Sequence, residues 1–141
     1  MGYAIFTLRK LTLTSRVNQC NAQAMRNSEK AMAITQQIYA KQTARNQAAN
    51  AATTQAYANY QASVDAGVEF SAARISLDEE LAKIDAQASL TDAEIQKLSL
   101  AQTALDMERQ TLETQLTSYQ SELDNVKKAE ESAIKNSTPK F

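Results

Sequence analysis

The chain has 141 residues, the length of a single domain, and its 15 basic and 16 acidic residues leave a net charge of −1. This balance argues against binding to nucleic acid or a general attraction to acidic surfaces. With no His and a single Cys, Cys20, the sequence excludes metal sites built from imidazole or thiolate and catalytic triads built on His. Two Gly and one Pro exclude Gly-rich phosphate loops and argue against a turn-rich β fold. We therefore expect no enzymatic activity, no cofactor and no small-molecule substrate.

The opening segment, residues 1–14, has the highest density of apolar residues in the chain. It is too short for its periodicity to decide between a strand and a helix. Arg9 and Lys10 interrupt the apolar run and no cleavage site of small residues follows it, so we expect no cleavable signal and either a cytoplasmic or an exported protein. We expect this segment to dock on a surface, and its candidate contact residues are Tyr3, Ile5, Phe6, Leu8, Leu11 and Leu13.

A first helix is predicted over residues 15–66, with Thr14 or Ser15 as its N-cap. Within it, residues 46–64 carry no charge, whereas a solvated helix usually has charges on its outer face. Either this stretch is touched on more than one side, or it is an Ala-rich helix with a neutral surface. The first interpretation makes interface candidates of Ala48, Ala52, Tyr57, Tyr60 and Val64.

A turn is predicted over residues 67–76. Gly67, the only interior glycine, suits the left-handed position after a helix, with the apolar Val68 following it. Ser76 and Glu79 then match a capping box, which predicts that the second helix begins near residue 77.

The second helix is predicted over residues 77–134, where apolar residues alternate by four and three for eight heptads, the pattern of a coiled coil. A second capping signal suggests a kink near residue 90, but the unbroken register favours one helix. Asn136 to Pro139 end the helix, leaving residues 135–141 as a tail. Gln102 and Arg109 occupy the same register, and we expect them to fix how the packed helices are aligned rather than how strongly they associate. The residues predicted to form the seam between the two helices are Leu77, Leu81, Ile84, Ile95, Leu98, Leu105, Leu112, Leu116, Tyr119, Leu123 and Val126.

Two helices of similar length around one central turn predict an antiparallel hairpin. Charge favours the same pairing: residues 1–76 hold eight basic and three acidic residues, a net charge of +5, and residues 77–141 hold seven basic and thirteen acidic residues, a net charge of −6. A turn near residue 71 predicts two zones of contact. It places Arg9, Lys10 and Arg16 near Glu122, Asp124, Glu130 and Glu131, and it places residues 26–45 near Asp106, Glu108 and Glu113.

The pattern resembles that of secreted helical-filament subunits of the flagellar and type III export kind. The matching features are the run TLRKLTLTSRVNQCNAQ at residues 7–23 and the heptads at 98–133. Residues 71–74, Ser-Ala-Ala-Arg, are similar to a short run near flagellin C-termini, whereas the flagellin N-terminal motif is absent and Pro139 is atypical. The resemblance is architectural, and it implies terminal helices that pair and polymerise.

A lone hairpin buries only one stripe of each helix, which is little core for a chain of this length. We therefore expect a structural subunit that binds copies of itself to form a filament or an elongated bundle. Two alternatives stay open. One is a coiled-coil adaptor or secretion chaperone that binds a partner helix. The other is a membrane-surface protein anchored by residues 1–14.

Overall fold

The computed structural model describes residues 2–137, with side chains from Ala4 to Asn136. Over these residues the chain forms two long α-helices, α1 (Gly2–Asp65) and α2 (Phe70–Ser137), which pack against each other. The predicted all-α helical hairpin is therefore confirmed. Residues 138–141, which include Pro139 and most of the predicted tail, lie outside the described residues.

The first helix begins earlier than the sequence pattern predicts. Because α1 begins at Gly2, residues 2–14 of the predicted opening segment form its first turns. The Thr12 hydroxyl donates to the carbonyl oxygen of Leu8 at 3.0 Å, which satisfies a Thr side chain inside a helix. The prediction of an N-cap at Thr14 or Ser15 is wrong, because no Gly or Pro after Gly2 interrupts these turns.

The second helix also begins earlier, at Phe70, so the connection spans residues 66–69 rather than 67–76. Ser76 lies inside α2 and is not its N-cap. The burial of Ala73 explains the difference, because this residue extends the packed face of α2 beyond the local capping signal. The helix continues through residue 90, and the Thr91 hydroxyl donates to the carbonyl oxygen of Gln87 at 3.2 Å, so no new helix begins there.

The connection between the helices is closed by backbone hydrogen bonds around Gly67, whose φ is +88°. The Val68 N–H donates to the carbonyl oxygen of Ser63 at 3.0 Å, and the Gly67 N–H donates to that of Val64 at 3.1 Å. These two bonds define a Schellman motif, with the glycine in the left-handed position after the helix. The predicted role of Gly67 is confirmed.

The chain divides into two compact units. Unit 1 contains residues 2–32 of α1 and residues 103–137 of α2. Its buried side chains are Leu13, Cys20 and Asn27 on α1 and Leu112 on α2. Unit 1 consists of only these two helical segments, so each of the four buried side chains is covered by packing against the opposite segment. Cys20 is buried and packs as a small core residue.

Unit 2 contains residues 33–102, including the turn. Its buried side chains are Ala56 on α1 and Ala73 and Leu77 on α2. Near the turn, the rings of Tyr60 and Phe70 meet edge to face, with their centroids 6.2 Å apart. Two of the three buried residues are alanines, so the helices of this unit pack largely through small side chains.

The packed face of α1 changes register within unit 2. Half-buried positions at Ile34, Ile38, Lys41 and Arg45 alternate by four and three. The next two, Ala49 and Thr53, follow at intervals of four, before the alternation resumes at Ala56. Such an extra step of four locally unwinds a coiled coil and moves the packed face around the helix.

Candidate interaction surfaces

The predicted seam residues of α2 all lie on its covered side. Leu77 and Leu112 are buried. The others are half-buried: Leu81, Ile84, Ile95, Leu98, Leu105, Leu116, Tyr119, Leu123 and Val126. The alternation by four and three is what carries these side chains to one side of the helix.

The two polar residues in the predicted register behave differently. Gln102 is half-buried, and its amide donates to the hydroxyl of Thr35 on α1 at 2.6 Å. Arg109 is exposed and forms ion pairs along α2 with Asp106 at 3.5 Å and with Glu113 at 3.9 Å. The long side chain of Arg109 extends into solvent and does not lie between the helices, so Arg109 does not align the two helices.

The alignment of unit 1 also depends on a residue that the sequence pattern does not single out. Asn27 is buried, and its Nδ2 donates to the carbonyl oxygen of Leu105 at 2.9 Å across the two helices. Its position, seven residues after Cys20 and seven before Ile34, is the signal that could have identified it. A single buried Asn in such a register specifies alignment at some cost in stability.

In unit 1, ion pairs join basic residues of α1 to acidic residues of α2. Arg9 contacts Glu122 at 2.7 Å and Lys10 contacts Glu130 at 2.6 Å, two of the pairings that charge complementarity predicts. The guanidinium of Arg16 instead lies over the ring of Tyr119, 5.5 Å from its centroid. A cation over an aromatic face is attracted by the ring quadrupole.

In unit 2, the basic residues of α1 meet acidic residues that lie nearer to the turn than predicted. Arg45 makes two parallel bonds to Asp92, at 3.0 and 3.2 Å, and Lys41 contacts Glu94 at 2.8 Å. The predicted partners in the 106–113 region are wrong for these two residues, because Lys41 and Arg45 lie at the end of residues 26–45 that is nearer to the turn and therefore face α2 residues that are also nearer to the turn. The hydrogen bond from Lys41, followed by the charge of its ammonium, lowers the pKa of Glu94 below its ordinary value.

The first turns of α1 present apolar side chains to solvent. Ile5, Leu8 and Leu11 are 69%, 67% and 65% exposed, and their spacing of three residues places them on one broad side of the helix. We call these three residues the N-terminal apolar surface. Phe6 is half-buried, and Leu13 is fully buried and so cannot contact another chain in this conformation. The side chain of Tyr3 lies outside those described.

A groove between α1 and α2 lies in unit 2, with a volume of about 460 Å³. We call it the alanine groove, because its apolar lining consists of Ala44, Ala48, Ala49, Ala52, Ile84 and Ala88. The side chains of Lys41, Arg45, Lys83 and Glu94 border it. The register change at Ala49 explains its position, since Ala48 and Ala52 are displaced to the edge of the helix contact and are too small to fill it.

The remaining interface candidates lie between the groove and the turn. Tyr57 is exposed, Val64 is half-buried, and Tyr60 is half-buried with its ring against Phe70. Of these three, Tyr57 is therefore the most accessible to another molecule.

No family model, curated protein or solved structure matches this chain. Within residues 2–137, neither helix has an apolar stretch long enough to cross a membrane. The same residues contain no group of three or more His, Cys, Asp or Glu side chains placed to hold a metal ion.

Proposed function

We propose that this protein is a non-enzymatic structural subunit that associates with copies of itself, through helix-to-helix packing, into a filament or an elongated bundle. The observation that carries the proposal is the exposure of the N-terminal apolar surface, Ile5, Leu8 and Leu11, on a continuous helix. Neighbouring large apolar side chains that are exposed on one side of a helix are typical of contact sites with proteins or membranes.

The need for further burial supports self-association. Six apolar residues of the described chain are buried, and three of them are Ala or Cys. Such a small core stabilises a chain of this length weakly, because conformational entropy opposes folding at every ordered residue. Association would bury additional apolar surface and add to the stability of each subunit.

A second candidate, attachment to a membrane surface, is favoured by the same three residues. Apolar side chains on one side of a helix suit insertion into a membrane surface, and the cations next to them in the sequence, Arg9 and Lys10, are held in ion pairs with Glu122 and Glu130. Self-association gives this surface a second copy of the chain as its partner, whereas membrane attachment gives it lipid. One variant of the surface and its control, described below, therefore test both candidates.

The first experiment is sedimentation velocity and negative-stain electron microscopy of the pure protein over a hundredfold range of concentration. We expect assemblies whose size grows with concentration, and a chain that stays monomeric at every concentration would contradict the proposal. Small oligomers of fixed size would contradict the filament and would agree with an elongated bundle or with the adaptor.

Leu8→Asp then tests the surface itself. A carboxylate in an apolar contact is costly unless it is paired, so this variant should form smaller assemblies. The matched control is Thr7→Asp, which adds the same charge at an exposed polar position and removes no apolar side chain. Flotation with anionic vesicles is measured in parallel. Lipid binding that Leu8→Asp abolishes, with assembly unchanged, would assign this surface to membrane attachment and not to self-association.

A further inference from the structure

We infer that the alanine groove of unit 2 binds the same segment of a second copy of this chain, with the two α1 helices antiparallel across a two-fold axis near Ala48. This inference rests on the proposed self-association and names one surface that carries it. It is independent of the N-terminal apolar surface, which lies on a different part of α1.

The shape of the groove selects a narrow helix as its occupant. Ala44, Ala48 and Ala52 are exposed and follow one another at intervals of four, so they form a short row along one side of α1. Helices that meet through alanine approach more closely than helices that meet through Leu or Phe. The row is therefore suited to a helix that is itself lined by small residues.

The charges around the groove select an uncharged occupant. Lys41 and Arg45 border it, but Glu94 and Asp92 already hold these two cations in ion pairs within the hairpin. The third cation at its border, Lys83, contacts Glu80 at 4.0 Å along α2. A charged helix entering the groove would therefore lose water among cations that already have carboxylate partners. Residues 46–64 of the chain carry no charge, and they supply the small residues that the shape requires.

Charge also selects the direction of the second copy. In a parallel arrangement, Lys41 and Arg45 of one copy would lie beside the same cations of the other, and like charges repel. In an antiparallel arrangement centred on Ala48, the copy's Ala51 lies beside Arg45 and its Gln55 beside Lys41, so no cation meets its copy. Ala44 then faces Ala52 of the second chain, and Ala48 faces its own equivalent.

Such a contact is self-complementary, because the groove and its occupant are the same surface on both copies. It closes after two chains and produces a dimer. A filament needs a second, different contact to continue, and the N-terminal apolar surface is available for that. The structure therefore assigns the two surfaces separate roles, one in pairing chains and one in joining pairs.

The test uses opposite charges at the two-fold axis. Ala48→Glu and Ala48→Lys are prepared as two separate full-length variants, and dimer formation is followed by sedimentation velocity. Each variant alone should associate at least about tenfold more weakly than the native chain, because two like charges meet in an apolar contact. An equimolar mixture should regain association, because a carboxylate of one chain then meets an ammonium of the other.

Ala58→Glu is the matched control. It adds the same charge to an exposed alanine within the uncharged stretch, but it does not line the groove, and its association should equal that of the native chain. Circular dichroism of all variants should be unchanged, since these alanines are exposed.

The outcomes separate this inference from the proposed function. If the native chain assembles and Ala48→Glu assembles equally well, the groove is not a contact and only the inference fails. If both variants are defective but their mixture is not restored, the two-fold arrangement is wrong. A native chain that stays monomeric would overturn the proposed function together with the inference.

Discussion

Asn27 illustrates how a single buried polar residue sets the alignment of two helices. Its amide reaches the carbonyl oxygen of Leu105, an atom that α2 also uses in its own backbone ladder. One residue further along the chain, the nearest carbonyl would lie on a different side of α2 and the bond would be lost.

Leu112 tests the burial of the seam in unit 1. It is 5% exposed, so Leu112→Asp buries a carboxylate between the helices, and we expect a loss of about 3 kcal/mol or more in the free energy of unfolding. The measurement is urea unfolding followed by circular dichroism. Leu100→Asp is the matched control, since Leu100 is exposed and the same change there should cost less than about 0.5 kcal/mol. Equal effects of the two substitutions would contradict the seam assignment.

Glu94 provides a pH-dependent contribution to unit 2. Because its pKa is lowered in the folded chain from an ordinary value of 4.5, the carboxylate stabilises the fold above that pH. This contribution decreases as the pH falls through 4.5 and is absent below the lowered pKa of the folded state. We expect Glu94→Gln to flatten the decrease in unfolding free energy between about pH 5 and pH 3.

The change at Glu94 should be small, because exposed ion pairs contribute little. Glu131→Gln, at an exposed position in unit 1, is the control for general loss of negative charge. A pH profile that is the same for the native chain and for Glu94→Gln would show that the contact with Lys41 does not persist in solution.

At the scale of the helices, most of what could be predicted came from the spacing of apolar residues along the sequence. The alternation by four and three over α2 identified its covered side, and the single interior glycine identified the end of α1. The helix starts were predicted wrongly, because capping residues such as Ser15 and Ser76 also occur inside helices when packing continues past them. Burial of Leu13 and Ala73 outweighs those local signals.

The interaction surfaces were predicted less completely than the fold. Lack of charge over residues 46–64 drew attention to Ala48 and Ala52, which line the groove. The groove also requires the register change around Ala49, and small neutral residues leave no apolar stripe from which such a change can be read. The covered side of α1 was equally difficult to see, because it includes the polar Asn27, Lys41 and Arg45.

Gly67 determines how the two helices are joined. A Cβ at this position would contact no atom within 4 Å, so the effect of Gly67→Ala comes from the backbone, whose φ of +88° disfavours any residue with a side chain. We expect a loss of about 1 kcal/mol in the free energy of unfolding, measured by urea titration. Gly67→Asn should lose less, because Asn adopts the left-handed conformation more readily. Equal stability of the native chain and Gly67→Ala would mean that the turn rearranges at no cost.

At the scale of the whole molecule, the separation of charge between the helices favours pairing α1 with α2. In both units the pairs run from a cation of α1 to a carboxylate of α2, as with Arg9 and Glu122 in unit 1 and Arg45 and Asp92 in unit 2. Each exposed pair contributes at most about 1 kcal/mol. Their larger effect is on specificity, because a parallel pairing of α1 with α1 would bring like charges together along the basic part of that helix.

The four-residue connection limits how such a chain can change in length. Because α1 and α2 lie antiparallel on either side of residues 66–69, residues added to one helix displace every contact further from the turn unless the other helix gains the same number at the facing position. Only additions of about seven residues preserve the covered side of a helix. We expect length variants of this chain to differ by whole heptads inserted in pairs, placed symmetrically about Gly67. Each insertion in α1 is then matched by an insertion of equal length in α2.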